Sequence, residues 1–481
     1  MTNEIRVRFA PSPTGFMHLG NVRVALLNYL FAHQKKGNFI LRIEDTDFNR
    51  NIDEAAYQII KDLDWLGLKH DEGPELKGKY GPYFQSKRTD IYQKHLNDLI
   101  DNQKIYRCFC TPEQLEEKRK LQLASGQPPR YDRTCLHLSD DHIKEKIATG
   151  MPFIWRIKLN EDQIIEINDM AHGKIKFEMK NFSDFALTRH DGSFTFMFAN
   201  FVDDWLMKIS HVIRGEDHLS NTAMQAALFS SFAIPLPMFW HLPMICNKEG
   251  KKLSKRDFGF SLEDLKRDGY LPEAICNYLA IIGGTFEQEI QSIGELAQNF
   301  NFDHMHSTGA IRFDTEKLTW VNHKWIEKLA PDKLTQKAKP FLHEQIPASK
   351  TLDDKKLEYI LEKLKTDMKT LKDVGSVLKF YFQAPQVKKE NLEKEFGKNK
   401  AEKILELIKN NIKDCSKTDF FLDTLKSTGK EQGLKIKEIF GPIRYLLTGK
   451  FQGPSVHDLM QILDDKEIEK RLIPPGFTPQ G

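Results

Sequence analysis

Cysteine is scarce, with six in 481 residues, which argues against a secreted scaffold stapled by disulfides. No apolar run approaches the roughly 18 residues needed to span a bilayer. The first residues, MTNEIRVRFAPSPTG, lack the basic-then-apolar pattern of a secretory leader. Internal repeats and long low-complexity tracts are missing as well. Nor is one sign of charge in excess, since 71 Lys and Arg against 68 Asp and Glu leave +3. What is present is a globular composition, 40% hydrophobic and 29% charged, on a chain long enough for roughly two to four domains. The expectation is a soluble cytoplasmic protein with no membrane segment, a monomer by default.

The near-neutral total conceals a shift along the chain. Residues 331–481 carry 29 Lys/Arg against 23 Asp/Glu, leaving 42 against 45 for the first 330. A mildly basic last third suits a polyanion bound through its phosphates; the plainer alternative is a lysine-rich solvated surface. Helical patterns such as Leu357 to Leu371 and Lys403 to Ile412 take over in that third.

The beginning of the chain has a different texture. Ile5 to Ala10 is β-prone and ends at the turn cluster Pro11-Ser12-Pro13-Thr14-Gly15. Val22, Leu26, Leu27, Leu30 and Phe31 then recur at helical spacing, with Gly37 beyond the end. Phe39 to Ile43 reads as a second strand that delivers Glu44-Asp45-Thr46-Asp47 at its carboxyl end. Strand, turn, helix and strand in that order predict an α/β fold with a parallel sheet, whose ligands sit at the carboxyl ends of the strands. Residues 151–200 look strand-rich, Phe153 to Ile157 for example, and Asp203 to Asp217 reads as a return to the core.

Three constellations could carry chemistry. In Pro11 to Asn21, Gly20 allows close approach to a nucleotide, the helix N-terminus offers N–H groups to phosphate, and His18 can donate to a phosphoryl oxygen. A His that merely caps the helix is the competing reading. In Gly250-Lys251-Lys252-Leu253-Ser254-Lys255-Arg256, four cations and a serine beside a glycine suit a mobile phosphate clamp; alone, it would read as a solvated basic loop. Finally, Cys108-Phe109-Cys110 and Cys135-Leu136-His137, 24 residues apart, supply three thiolates and an imidazole for a tetrahedral structural zinc. Cys246, Cys276 and Cys415 sit in apolar or isolated contexts and read as plain core.

Together the first two constellations carry a resemblance. His18-Leu19-Gly20-Asn21 resembles the HIGH signature, and Lys252 to Arg256 the KMSKS signature, of class I aminoacyl-tRNA synthetases. The stretches RFAPSPTG at 8–15, LRIEDTD at 41–47, GPYFQSKR at 81–88, VIRGEDH at 212–218, GYLPEAICNYL at 269–279 and RFDTEKLTWVNHKWI at 312–326 resemble the bacterial glutamyl-tRNA synthetases in particular. The likeness is close over about residues 5–330 and looser beyond.

It implies ATP-dependent activation of L-glutamate to the adenylate, then transfer to the terminal adenosine of tRNA(Glu), with bound tRNA needed for efficient activation. His18, Lys252 and Lys255 would be the catalytic residues. ATP, as its Mg2+ complex, would meet Pro11, Ser12, His18, Gly20, Asn21, Lys252, Ser254 and Lys255. Glutamate would meet Arg8, Ser12, Glu44, Phe196, Asn200 and Arg214, with Arg214 on the γ-carboxylate because a guanidinium only donates. The zinc ligands would be Cys108, Cys110, Cys135 and His137. The alternatives are a non-discriminating or tRNA(Gln)-charging variant, and an inactive tRNA-binding paralogue.

The resemblance also implies a layout. A Rossmann-type catalytic domain would occupy 1–105 and 186–246, interrupted at 106–185 by a zinc-bearing connective insertion that binds the acceptor stem. A stem-contact region at 247–330 and an all-helical anticodon-binding domain at 331–481 would follow. Two departures stand out. The family usually has Pro-Thr-Tyr where this chain has Phe194-Thr195-Phe196, so a phenol is missing beside the amino acid. An arginine-led version is common where Asp367-Met368-Lys369-Thr370-Leu371 stands.

Overall fold

The expected strand–helix–strand unit opens the chain. The computed structural model describes residues 4–13, 15–46, 52–76, 78–247, 249–251, 261–300, 302–305, 309–475 and 477. In it, β1 (Arg6–Phe9) and β2 (Asn38–Leu41) pair in parallel, joined by the helix Leu19–Gln34. Val22, Leu26, Leu27 and Leu30 of that helix are fully buried, each worth about 1.5–3 kcal/mol of apolar burial. β2 is shorter than Phe39 to Ile43 because the backbone there gains partners on its other side. Ile43 N donates to Tyr83 O at 2.8 Å while Glu44 N donates to Pro11 O at 3.0 Å. The extended course persists as far as Glu44.

The segment that follows adds antiparallel pairs. β3 (Ile105–Cys108) pairs with β4 (Ile154–Ile157), and β5 (Ile164–Asp169) with β6 (Gly173–Glu178). In β5, burial alternates strictly from Ile164, exposed, to Asp169, buried, as one covered sheet face requires. The chain then forms the helix Phe196–Leu206, β7 (His211–Gly215), the helix Leu219–Ser231 and β8 (Met238–Leu242). β7 and β8 are parallel, with Arg214 opposite His241. Asp169 of β5 pairs with Phe239 of β8, giving the sheet order β6-β5-β8-β7. Ser210 N donates to Arg6 O at 2.9 Å, which sets β7 beside β1.

Two compact units divide the chain. One comprises Met1–Leu265 with Ile275–Asp314, the other Lys266–Ala274 with Thr315–Gly481. The second is helical. Its helix Asp354–Leu364 starts at Asp353, whose side chain accepts from Lys356 N, and buries Leu357, Ile360, Leu361 and Leu364. The helical pattern expected through Leu371 breaks after Leu364, because Met368 turns into the core and Thr370 caps a fresh turn with Asp373. Among the described residues, no helix is long and apolar enough to cross a membrane.

Candidate active site

The turn after β1 leads into the Leu19 helix through His18, which occupies the N-cap position. Its Nδ1 accepts from Asn21 N at 3.3 Å. Gly20 packs under the imidazole so closely that a Cβ there would lie 3.0 Å from the ring, which explains the glycine. His18 also lines a cavity of about 340 Å3, so capping and facing a ligand are compatible here. Arg8, Pro11, Ser12, Gly20, Asn21, Glu44, Phe196, Asn200 and Arg214 line the same cavity. Ten of the site residues read from the sequence, 8 to 214 in number, are thereby brought together. Lys252, Ser254 and Lys255 lie outside the described residues. Beyond them, Ser261 makes a backbone bridge to His18.

Charge in this cavity is distributed unevenly. Arg42, fully buried beneath it, donates from Nη1 to Asp204 at 2.7 Å and from Nη2 to Glu44 at 3.0 Å. Burial opposes its charge, yet the carboxylates of Asp204, Glu44 and Asp203 raise its pKa. Arg8 forks onto the two oxygens of Asp204 at 3.1 and 3.3 Å, and Arg8 and Arg42 hold the Asp204 carboxyl low against burial. Burial raises the Glu44 carboxyl, which accepts from Arg42 and from Asn200 Nδ2 at 2.5 Å. Gln225 Nε2 in turn fixes Asn200 Oδ1. Arg23, buried in the helix wall, donates to Leu279 O and Ile282 O, both at 3.3 Å.

Arg214 stands apart. It is 6% exposed, and among the described residues its Nε and Nη1 have no hydrogen-bond partner. Nη2 donates to Thr222 Oγ1 at 2.6 Å and, more loosely, to His218 O at 3.4 Å. Burial and the neighbouring Arg8 push its pKa down to about 9, which still leaves it cationic at neutral pH. Burial and Arg214 likewise lower His218, to about 4. The wall therefore presents a desolvated cation whose donors await an anion.

Sequence comparison bears on the whole of this unit. Residues 4–320 match the catalytic domain of the class I tRNA synthetases (E and Q), and residues 333–473 match an anticodon binding domain. The chain belongs to the class I (E and Q) tRNA synthetases. The synthetase is similar to the glutamate–tRNA ligase of Finegoldia magna, at 38% identity over 98% of this chain and 99% of that one. It is equally similar to that of Clostridioides difficile, 38% identical over 98% of each chain. A crystal structure of a glutamate tRNA ligase from Elizabethkingia meningosepticum in complex with its amino acid superposes with a TM-score of 0.86, at 33% identity and 98% coverage of both chains.

A second cluster of the synthetase lies near the end of β3. The Sγ atoms of Cys108, Cys110 and Cys135 all lie within 4.8 Å of one another. His137 is exposed, and among the described residues its ring nitrogens are not part of this group. The Tyr131 hydroxyl is there instead, 3.3 Å from Cys108 Sγ and 3.8 Å from Cys110 Sγ, while Cys135 N donates to it at 3.1 Å. Hydrogen bonding with Cys135, and with Tyr131, outweighs burial and holds the Cys108 thiol below its ordinary range, at the expense of Cys135. A thiolate beside two further sulfurs suits a soft tetrahedral cation. Cys246, Cys276 and Cys415 are buried singly, as expected of core residues.

Sequence reasoning missed the partners of the site arginines. Arg42 shows as an arginine inside an apolar strand, FILRI, and Asp203-Asp204 as paired acids inside an apolar helix. Those signals mark a buried ion network without saying which arginine it saturates. In the second unit Asp367 and Lys369 line a cavity of about 760 Å3 together with Lys379 and Lys450.

Proposed function

We propose that the protein is a glutamate–tRNA ligase, activating L-glutamate with ATP and transferring it to tRNA(Glu). The observation that carries this reading is Arg214, a buried cation with Nε and Nη1 unpartnered on the wall of the cavity. A carboxylate accepts from the unpartnered Nη1 end, whereas the NH2 face of an amide meets donors with donors. Glu44, braced by Arg42 and Asn200, takes the ammonium of the amino acid. Arg8, paired with Asp204, also lines the cavity and is the second guanidinium offered to the amino acid.

Pro11, Ser12, His18, Gly20 and Asn21 form the nucleotide side, where the N-terminus of a 16-residue helix favours phosphate. In the first step an oxygen of the glutamate α-carboxylate attacks the α-phosphorus of MgATP and pyrophosphate leaves. In the second a ribose hydroxyl of the terminal adenosine attacks the acyl carbon and AMP leaves. No covalent enzyme intermediate is needed, so the work is positioning and charge stabilisation. Lys252 and Lys255, with Ser254, serve the phosphates; Lys255→Ala slows adenylate formation by ~10²-fold or more. The helical unit binds the anticodon region of the tRNA. The enzyme works in the cytoplasm as a monomer.

The three clustered thiols hold one zinc per chain, with His137 the fourth ligand expected from the sequence and Tyr131 the nearer donor. The zinc orders the insertion rather than taking part in the chemistry. Metal analysis of Cys135→Ala tests the thiol set, since stoichiometric zinc in that variant would refute it. His137→Ala decides the fourth donor. The function itself is tested by offering labelled glutamate with purified tRNA(Glu) and tRNA(Gln) separately. Rapid charging of tRNA(Glu) is expected. Equal initial rates on both would replace tRNA(Glu) specificity with a non-discriminating enzyme, and no charging of either would sink the proposal.

A further inference from the structure

The parallel register of β7 and β8 puts His241 beside Arg214, and Thr222, in the first turn of the Leu219 helix, meets both. Arg214 Nη2 lies 2.6 Å from Thr222 Oγ1, which lies 2.8 Å from His241 Nε2. His241 Nδ1 lies 2.6 Å from Asp169 Oδ2. Thr222 and His241 are fully buried and Asp169 is 4% exposed. Asp169 also accepts from Ala171 N, His172 N and His172 Nδ1 through Oδ1, and from His241 N through Oδ2. This chain of contacts leaves the cavity wall at β7, crosses β8 and ends on the last residue of β5.

Its polarity follows from the donors available. Five donors surround the Asp169 carboxylate, so it is ionised and His241 carries its proton on Nδ1. Burial keeps that imidazole neutral, which leaves Nε2 a bare acceptor. The Thr222 proton therefore goes to Nε2, His218 O being the more distant acceptor at 3.2 Å. The hydroxyl oxygen is then free to accept from Arg214. We propose that Thr222, His241 and Asp169 are positioning residues that hold Arg214 by Nη2 so that its unpartnered Nη1 end meets the substrate carboxylate, and so set discrimination between glutamate and glutamine.

Thr222 suits that task better than an acid would. A carboxylate in its place would pin the guanidinium but also neutralise it. A hydroxyl pins it and leaves its charge for the ligand: the acid of this contact chain, Asp169, stands two side chains away, and Asp204, Glu44 and Asp217 act on Arg214 only through space. An arginine held by one short hydrogen bond loses the rotamer freedom that would let it follow an amide.

The inference rests on the reading that Arg214 receives the side-chain carboxylate, and the experiment separates the two. Thr222→Val keeps the shape and removes the hydroxyl, while Thr222→Ser keeps the hydroxyl. Adenylate formation is measured with tRNA(Glu) present, varying glutamate, glutamine and ATP in turn. Thr222→Val is expected to raise the KM for glutamate about tenfold or more, to leave the KM for ATP unchanged, and to narrow the glutamate-over-glutamine ratio of kcat/KM. Thr222→Ser restores the glutamate KM and the ratio, and Asp169→Asn shifts both in the direction of Thr222→Val. If Arg214→Met abolishes glutamate activation while Thr222→Val leaves glutamate KM and selectivity unchanged, the positioning chain is refuted. Equal losses for glutamate and ATP in Thr222→Val would also refute it, as the mark of a general structural role. If Arg214→Met itself leaves glutamate activation intact, the underlying reading falls and takes this one with it.

Discussion

Arg42 and Arg214 are both buried guanidiniums in the same unit, and they are treated in opposite ways. Arg42 meets Asp204 and Glu44 directly, with Asp203 3.8 Å away, and its charge is reinforced. Arg214 meets a hydroxyl and a carbonyl, and its charge is opposed by burial and by Arg8. The floor of the cavity is electrostatically closed and its wall is open. A closed network holds shape, and an open one has affinity to spare for an incoming anion.

The largest test of that contrast is a matched pair of substitutions. Arg42→Met leaves the buried acids without their shared cation and should cost about 3–5 kcal/mol of stability, seen as a much lower melting temperature. Arg214→Met removes a desolvated charge that Asp204, Glu44 and Asp217 offset only through space, with no carboxylate among its hydrogen-bond partners. It should leave the melting temperature unchanged or higher while glutamate activation collapses. Similar destabilisation by both would end the distinction between floor and wall.

A smaller effect should appear in acid. His218, beside Arg214, is neutral in the folded wall with a pKa of about 4 against the ordinary 6.5. Between those values the unfolded chain binds the extra proton, so acid favours unfolding. The contribution is whole above pH 6.5 and is lost as pH falls toward 4, by at most about 3 kcal/mol. His218→Gln should flatten that part of the stability curve measured by denaturant titration. An unchanged curve would mean that the wall is less positive than the contacts imply.

The smallest concerns Phe196, whose ring lies 6.1 Å from that of His218 at the cavity edge. Phe196→Tyr adds one neutral hydroxyl, and a net hydrogen bond is worth ~0.5–1.5 kcal/mol. The KM for glutamate should fall by about tenfold or less, with glutamine still rejected. An unchanged KM would show that the ring does not reach the amino acid.

Much of the site is legible in the sequence. The turn with His18, the strand ending in Glu44, and Arg214 are local signals, each set by its neighbours in the chain. The parallel pair β1 and β2 follows from strand, turn, helix and strand in order. What could not be read was which arginine keeps donors without partners, since Arg8 and Arg214 sit in strands and Arg42 directly follows one. Their fates depend on acids more than 150 residues away, such as Asp204 for Arg8 and Arg42, and on strand register. His241 becomes a neighbour of Arg214 only because β7 and β8 align them. Asp169 enters from a hairpin that sequence alone assigns to the insertion. The spacing reads as four ligands, Cys108, Cys110, Cys135 and His137; the three thiols do cluster, while the turn at 134–137 leaves His137 exposed and the Tyr131 hydroxyl, which no spacing marks, stands beside the sulfurs.

Arg23 carries a consequence for how the chain is made. Its guanidinium forms part of the cavity lining, yet the carbonyl that holds Nη2, on Ile282, is translated 259 residues later. At ~5–20 residues per second that interval is roughly 13 to 50 s. During it the first strands, helix and sheet can form on the ribosome, but this buried cation lacks its acceptors. The last piece of the wall arrives only when residues 275–314 return to the first unit. A nascent chain arrested before Ile282 should therefore hold its pocket open to water and to proteases, and become competent to bind a nucleotide within a few tens of residues of further synthesis.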